Sequence, residues 1–69
     1  MNEFSLEGRD YIELNKLLKR LNLVMTGGEA HNVIDNGEVL VNDKVETRRR
    51  NKLRPGDVVK FRDHEITVR

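Results

Sequence analysis

Leu14, Leu17, Leu18 and Leu21 recur at the i, i+3, i+4, i+7 spacing of a single helix face. That stripe predicts a helix from about Glu13 to Asn22 with one side committed to a core. Lys16 and Arg20, four residues apart, share another face, and Lys19 lies on the same polar side. Leu23, Val24 and Met25 lead to a second helix. Thr26-Gly27-Gly28-Glu29 reads as a capping box, in which Thr26 accepts from a first-turn amide and Glu29 reaches back to the Thr26 amide. Ala30, Val33 and Ile34 form the buried stripe of this helix. Asn36-Gly37 ends it, because glycine tolerates the left-handed backbone that closes helices.

The periodicity then changes. Glu38 to Glu46 reads as a hairpin in which Val39 and Val41 alternate, Asn42-Asp43 turns and Val45 returns. Pro55-Gly56-Asp57 is a strong turn signal. Val58 to Phe61 and Ile66 to Val68 read as strands joined by a turn at Arg62-Asp63 near His64. Ahead of the helices, residues 3–6 alternate as a short strand, and Glu7 to Asp10 turn. Tyr11 and Ile12 either return as a strand or lead into the first helix. The predicted fold is a small α+β domain, two packed helices followed by a small antiparallel sheet, occupying residues 1–69 as a single domain.

The 69 residues include no cysteine, which excludes disulfides and cysteine-based metal sites. No apolar run reaches membrane-spanning length, and the N-terminus lacks a signal-peptide pattern, so a soluble cytoplasmic protein is expected. Net charge is only +1, yet Lys44 to Arg54 hold six positive residues against one negative. Clustered positive charge attracts a polyanion that dispersed charge would not.

The ordered set Leu14-Asn15-Lys16-Leu17-Leu18, Thr26-Gly27-Gly28-Glu29-Ala30, Val33-Ile34, Gly37, Val39, Val41-Asn42, Val45 and Pro55-Gly56-Asp57 resembles the S4 RNA-binding domain over roughly residues 11–61. Thr26 to Ala30 and Val45 to Arg50 point to the small stand-alone bacterial type, the YbcJ-like proteins. The resemblance implies an L-shaped helix pair, the alpha-L motif, on a small sheet. It also implies binding of structured RNA, ribosomal RNA or tRNA, through the first helix, the start of the second and nearby basic residues. A ribosomal particle is a candidate partner, no membrane is expected, and a monomer is expected. This chain departs from the wider family at two points. Gly27 stands where an Arg often follows the Ser, and His31 stands where Arg or Lys is usual.

Arg48, Arg49, Arg50, Lys52 and Arg54 are the main candidates for a phosphate clamp, since the arginine fork matches phosphate oxygens. A solvated loop would carry the same charges. In an extended segment Arg48 and Arg50 share a side and Arg49 lies opposite, unless the loop bends. Lys16, Lys19 and Arg20 form a second patch, equally readable from spacing as the polar face of an amphipathic helix, and the resemblance implies contact for Lys16 and Arg20. Gly27 and Gly28 expose first-turn amides suited to an anion, although Glu29 can occupy the same positive end. His31, one turn on, can meet a phosphate or a base, or be a plain surface residue. His31 and His64 make no metal-ligand pattern, and no cofactor is implied. Phe4, Tyr11 and Phe61 are the only aromatics. Such scarcity favours reading RNA shape and backbone over splayed bases. An adaptor that turns the same basic surface to an acidic or ribosome-associated protein is the alternative. An enzyme is not expected, for want of a nucleophile–base pair or a phosphate-binding glycine loop followed by Lys.

Overall fold

A computed structural model describes residues 2–69 of the chain. The elements in order are β1 (Asn2–Phe4), β2 (Ile12–Glu13), α1 (Leu14–Arg20), α2 (Gly27–Asp35), β3 (Val39–Val41), β4 (Lys44–Val45), β5 (Lys52–Leu53), β6 (Val58–Phe61) and β7 (His64–Val68).

Three of the four stripe residues behave as their spacing requires: Leu14, Leu17 and Leu18 are fully buried, whereas Leu21, the residue after the helix, is only partly buried against the core. The helix stops two residues earlier than expected. Asn22 adopts φ 59°, and the Asn22 and Leu23 amides donate to the Lys19 and Leu18 carbonyls at 3.0 Å each. This paired closure, with Asn in the left-handed position, satisfies carbonyls that a continuing helix would otherwise use. The second helix closes in the same way at Gly37, φ 77°, whose amide and that of Glu38 donate to Ile34 and Val33. Its start departs from the expected box in one bond. Thr26 Oγ1 accepts from the Glu29 amide at 3.0 Å, but Glu29 Oε1 accepts from the Met25 amide at 2.7 Å, one residue before the cap.

A five-stranded sheet runs in the order β1-β7-β6-β3-β4, and β2 and β5 form a separate antiparallel pair. The predicted antiparallel set is present, with Val39 opposite Phe61 and Val59 opposite Ile66. Asn42 and Asp43 both take positive φ in the β3–β4 turn, the conformation that matches the twist of a tight hairpin. The first strand differs from expectation. It ends at Phe4, and it lies parallel to β7, pairing Asn2 with Ile66 and Phe4 with Val68. Leu6, read as its last residue, has left the ladder but remains buried, with its amide donating to the Arg69 carbonyl at 2.8 Å. The last strand begins at His64, two residues earlier than its apolar pattern indicated.

One sheet face carries Val39, Val59, Phe61, Ile66 and Val68, all essentially inaccessible, and they join the α1 and α2 stripes in one core. Alternation sends Lys60 and Glu65 to the opposite face.

Candidate nucleic-acid interface

The start of α1 has no side-chain cap. Its first free amides are taken instead by the basic segment: Leu14 donates to the Asn51 carbonyl and Asn15 to the Arg49 carbonyl, both at 3.0 Å. A helix start needs such acceptors, and here they come from residues more than thirty positions later in the chain. Pairing of Ile12 with Leu53 and of Glu13 with Lys52 extends the contact. Residues 49–53 therefore run alongside residues 12–15, and the side chains of both are brought to one surface.

On one flank of this seam lies a cleft of about 530 Å³ lined by Gly8, Arg9, Asp10, Tyr11, Ile12, Glu13, Lys16 and Arg20. Lys16 Nζ stands 3.5 Å from the Glu13 carboxylate. The Tyr11 ring joins the cleft to the basic segment, with Lys52 Nζ 5.0 Å and the Arg54 guanidinium 5.7 Å from its centroid. Such cation–ring contacts are worth about 0.5–1 kcal/mol each at exposed sites, enough to bias where the two cations rest.

On the other flank, Asn15, His31, Arg49 and Arg50 line a notch of about 400 Å³. Arg49 Nη1 lies 3.2 Å from His31 Nδ1, and Arg49 Nε lies 3.7 Å from Asp35. A guanidinium only donates, so His31 Nδ1 accepts and the ring proton sits on Nε2. The Asn15 side-chain oxygen accepts from the Lys16 amide at 2.9 Å, which leaves its NH2 as the group with bonds to offer. Every side chain lining the notch thus presents donors: an imidazole N–H, a carboxamide NH2 and two guanidinium groups. That is the complement of an oxyanion with acceptors only.

The three consecutive arginines divide only in part as an extended segment would divide them. The chain turns, with the Asn51 amide donating to the Arg48 carbonyl at 3.2 Å, and this bend puts Arg49 beside Arg50 rather than opposite. Arg48 is committed to Glu46, its Nε 2.9 Å from Oε2 and its Nη2 3.0 Å from Oε1, with its own amide also donating to that carboxylate. The Arg48 side-chain hydrogen bond holds the Glu46 carboxyl below its ordinary value of 4.5, partly opposed by desolvation. The same contact raises the Arg48 guanidinium. Arg48 and Arg50 do share a second, shallower depression with Asn51 and Lys52.

Gly27 and Gly28 form the first turn of α2, about one turn ahead of His31. A Cβ at Gly27 would meet nothing within 4 Å, and one at Gly28 only Thr26 Oγ1 at 3.9 Å. The cleft and the notch are lined by other residues, and Glu29 bonds the Met25 amide beside this helix start. The fold thus gathers Lys16, Arg20, His31, Arg49, Arg50, Lys52 and Arg54. It ties up Arg48 and leaves the two glycines outside both concavities. It also adds Arg9, whose Nε donates to the Leu6 carbonyl at 3.0 Å, and Asn15, which stood in the family-like stretch Leu14 to Leu18 but was not among the expected contact residues. Among the described residues there is no cluster of three His, Asp or Glu able to hold a metal ion, and no helix is long and apolar enough to cross a membrane.

Comparison with known proteins gives a consistent set of matches. The family model of the S4 domain matches residues 4–69. The protein named "Putative RNA-binding protein YbcJ" of Escherichia coli (strain K12) is 38% identical over 68 residues, covering 99% of this chain and 97% of that one. The "Probable ribosome maturation protein RlbA" of Bacillus subtilis (strain 168) is 41% identical over 52 residues, 75% of this chain and 73% of the relative. The solution structure of Escherichia coli YbcJ, described as revealing an αL motif involved in RNA-binding, aligns with a TM-score of 0.74 at 38% identity. It covers 99% of this chain and 86% of that one.

Proposed function

The chain belongs to the S4 domain family, and from that premise we propose that it is a non-catalytic, single-domain module that binds structured RNA, ribosomal or tRNA-like. One observation carries the reading: the notch in which each lining side chain has a donor left to offer, built where α1, α2 and the basic segment meet. Phosphate oxygens are acceptors only, carry negative charge and recur at regular intervals along the RNA backbone, so a notch that offers donors from two guanidinium groups, an imidazole and a carboxamide suits them. Lys16, Arg20, Lys52 and Arg54 extend the positive field on the other side of the seam. The names of the relatives, one for RNA binding and one for ribosome maturation, support the same class of partner, with a ribosomal particle as its setting. The protein acts as a cytoplasmic monomer in this reading.

The test is binding of a fluorescently labelled folded tRNA and of a folded ribosomal RNA fragment at low and moderate salt. A composite face of a few cations on a nearly neutral protein predicts modest affinity that falls steeply with salt. Absence of binding to either RNA at low salt would remove the reading.

A further inference from the structure

Tyr11 is placed where phosphate recognition alone gives it no task. It immediately precedes Ile12, which is 4% exposed and paired with Leu53, whereas Tyr11 itself is 38% exposed. The chain thus turns Ile12 into the core and leaves Tyr11, just ahead of the strand, at the surface. The ring lines the 530 Å³ cleft and has Lys52 and Arg54 over it. Arg9, Lys16 and Arg20 line the same cleft, together with the carboxylates of Asp10 and Glu13.

An outward aromatic ring, cations around it and carboxylates within reach match the parts of one nucleotide. The ring offers a surface for a base, the cations suit its phosphate, and a carboxylate accepts from a ribose hydroxyl or an exocyclic amine. Bases inside a paired stem are stacked on their neighbours and closed to such a ring, so the occupant must be unpaired. We infer that this cleft binds one unpaired RNA nucleotide, its base stacked on Tyr11 and its phosphate held by the surrounding cations. The inference rests on the RNA-binding reading and sharpens it. The preferred ligand is a paired stem for the notch with an unpaired nucleotide beside it, and one ring is enough for one base.

The chain has one tyrosine and no tryptophan, so its intrinsic fluorescence reports Tyr11 alone. Two labelled RNA hairpins are compared, one fully paired in its stem and one carrying a single bulged nucleotide. The bulged hairpin is expected to bind roughly tenfold more tightly, within the range that base–aromatic stacking supplies, and to quench the tyrosine emission. An abasic residue at the bulge should abolish the preference with the unmodified protein. Tyr11→Phe should keep the preference, since stacking uses the ring and not the hydroxyl, and Tyr11→Ala should bring the ratio of the two affinities near one. Equal binding of the two hairpins overturns this inference alone, as does a preference that survives the abasic residue. Binding of neither hairpin overturns it together with the RNA-binding reading.

Discussion

Replacing Arg49 and Arg50 with alanine empties the notch of both guanidinium groups while sparing the backbone that builds it. The Arg49 carbonyl accepts the Asn15 amide whatever side chain follows. The contact with Asp35 joins two half-exposed side chains at 3.7 Å, so its loss costs under about 1 kcal/mol and the fold survives. The effect on RNA is larger. Each phosphate contact adds about 0.9 to the slope of log affinity against log salt. With Lys16, Arg20, Arg49, Arg50, Lys52 and Arg54 all on phosphates, the slope is about −5.4. Raising salt from about 50 to 200 mM then weakens binding about 1,800-fold. Without the two arginines the slope is about −3.6 and the same change weakens binding about 150-fold. Fluorescence anisotropy of a labelled folded RNA across a salt series reads both slopes. Lys60→Ala is the control. Lys60 lies on the outer face of the sheet, beside Asp43 at 2.6 Å and Glu65 at 3.9 Å, and its removal should leave the slope unchanged. A double variant with the original slope, or a Lys60→Ala variant that lowers it as much per charge removed, refutes the notch as a phosphate seat.

Glu46→Gln removes the carboxylate that occupies Arg48, so RNA binding should tighten and the salt slope steepen by about 0.9 as one more cation becomes available. The same variant tests a pH dependence. Because the Glu46 carboxyl is held below 4.5 in the fold, its pairing contributes stability above that pH and loses it as pH falls through the lower folded value. The gap in denaturation midpoint between the original protein and Glu46→Gln should therefore shrink between pH 7 and pH 3. Thr26→Ala deletes the oxygen that accepts the Glu29 amide at 3.0 Å, at a cost of about 1 kcal/mol, and should lower Tm by about 4–8 °C in a domain of this size. Gly56 has φ 98° with open space where a Cβ would stand. Gly56→Ala should thus destabilise through backbone strain alone, by about 1–2 kcal/mol in a urea titration.

The local elements of this protein were legible because their causes are local. The spacing of Leu14, Leu17 and Leu18, and of Ala30, Val33 and Ile34, put those residues on buried helix faces. Gly37, Asn42, Asp43 and Gly56 took the positive φ their turns required. The early end of α1 also had a local cause, since Asn22 is among the few residues that accept the left-handed conformation. The family was legible from the order of such signals, and the match over residues 4–69 reaches beyond the stretch that first carried it.

The amino-acid sequence by itself determined the two helices, the hairpins, the core stripes and the concentration of charge in Lys44 to Arg54. Only the tertiary structure decided that β1 runs parallel to β7, that the 49–51 backbone caps α1, that His31 meets Arg49 across eighteen positions, and that Glu46 withdraws Arg48. The physical reason is the same in each case. Periodicity and backbone preference act over a few residues, whereas a strand's partner and an arginine's direction depend on which distant segments the buried core brings together. A charge run states how much positive potential is present. The packing of α1, α2 and β5 decides which of those charges face a ligand.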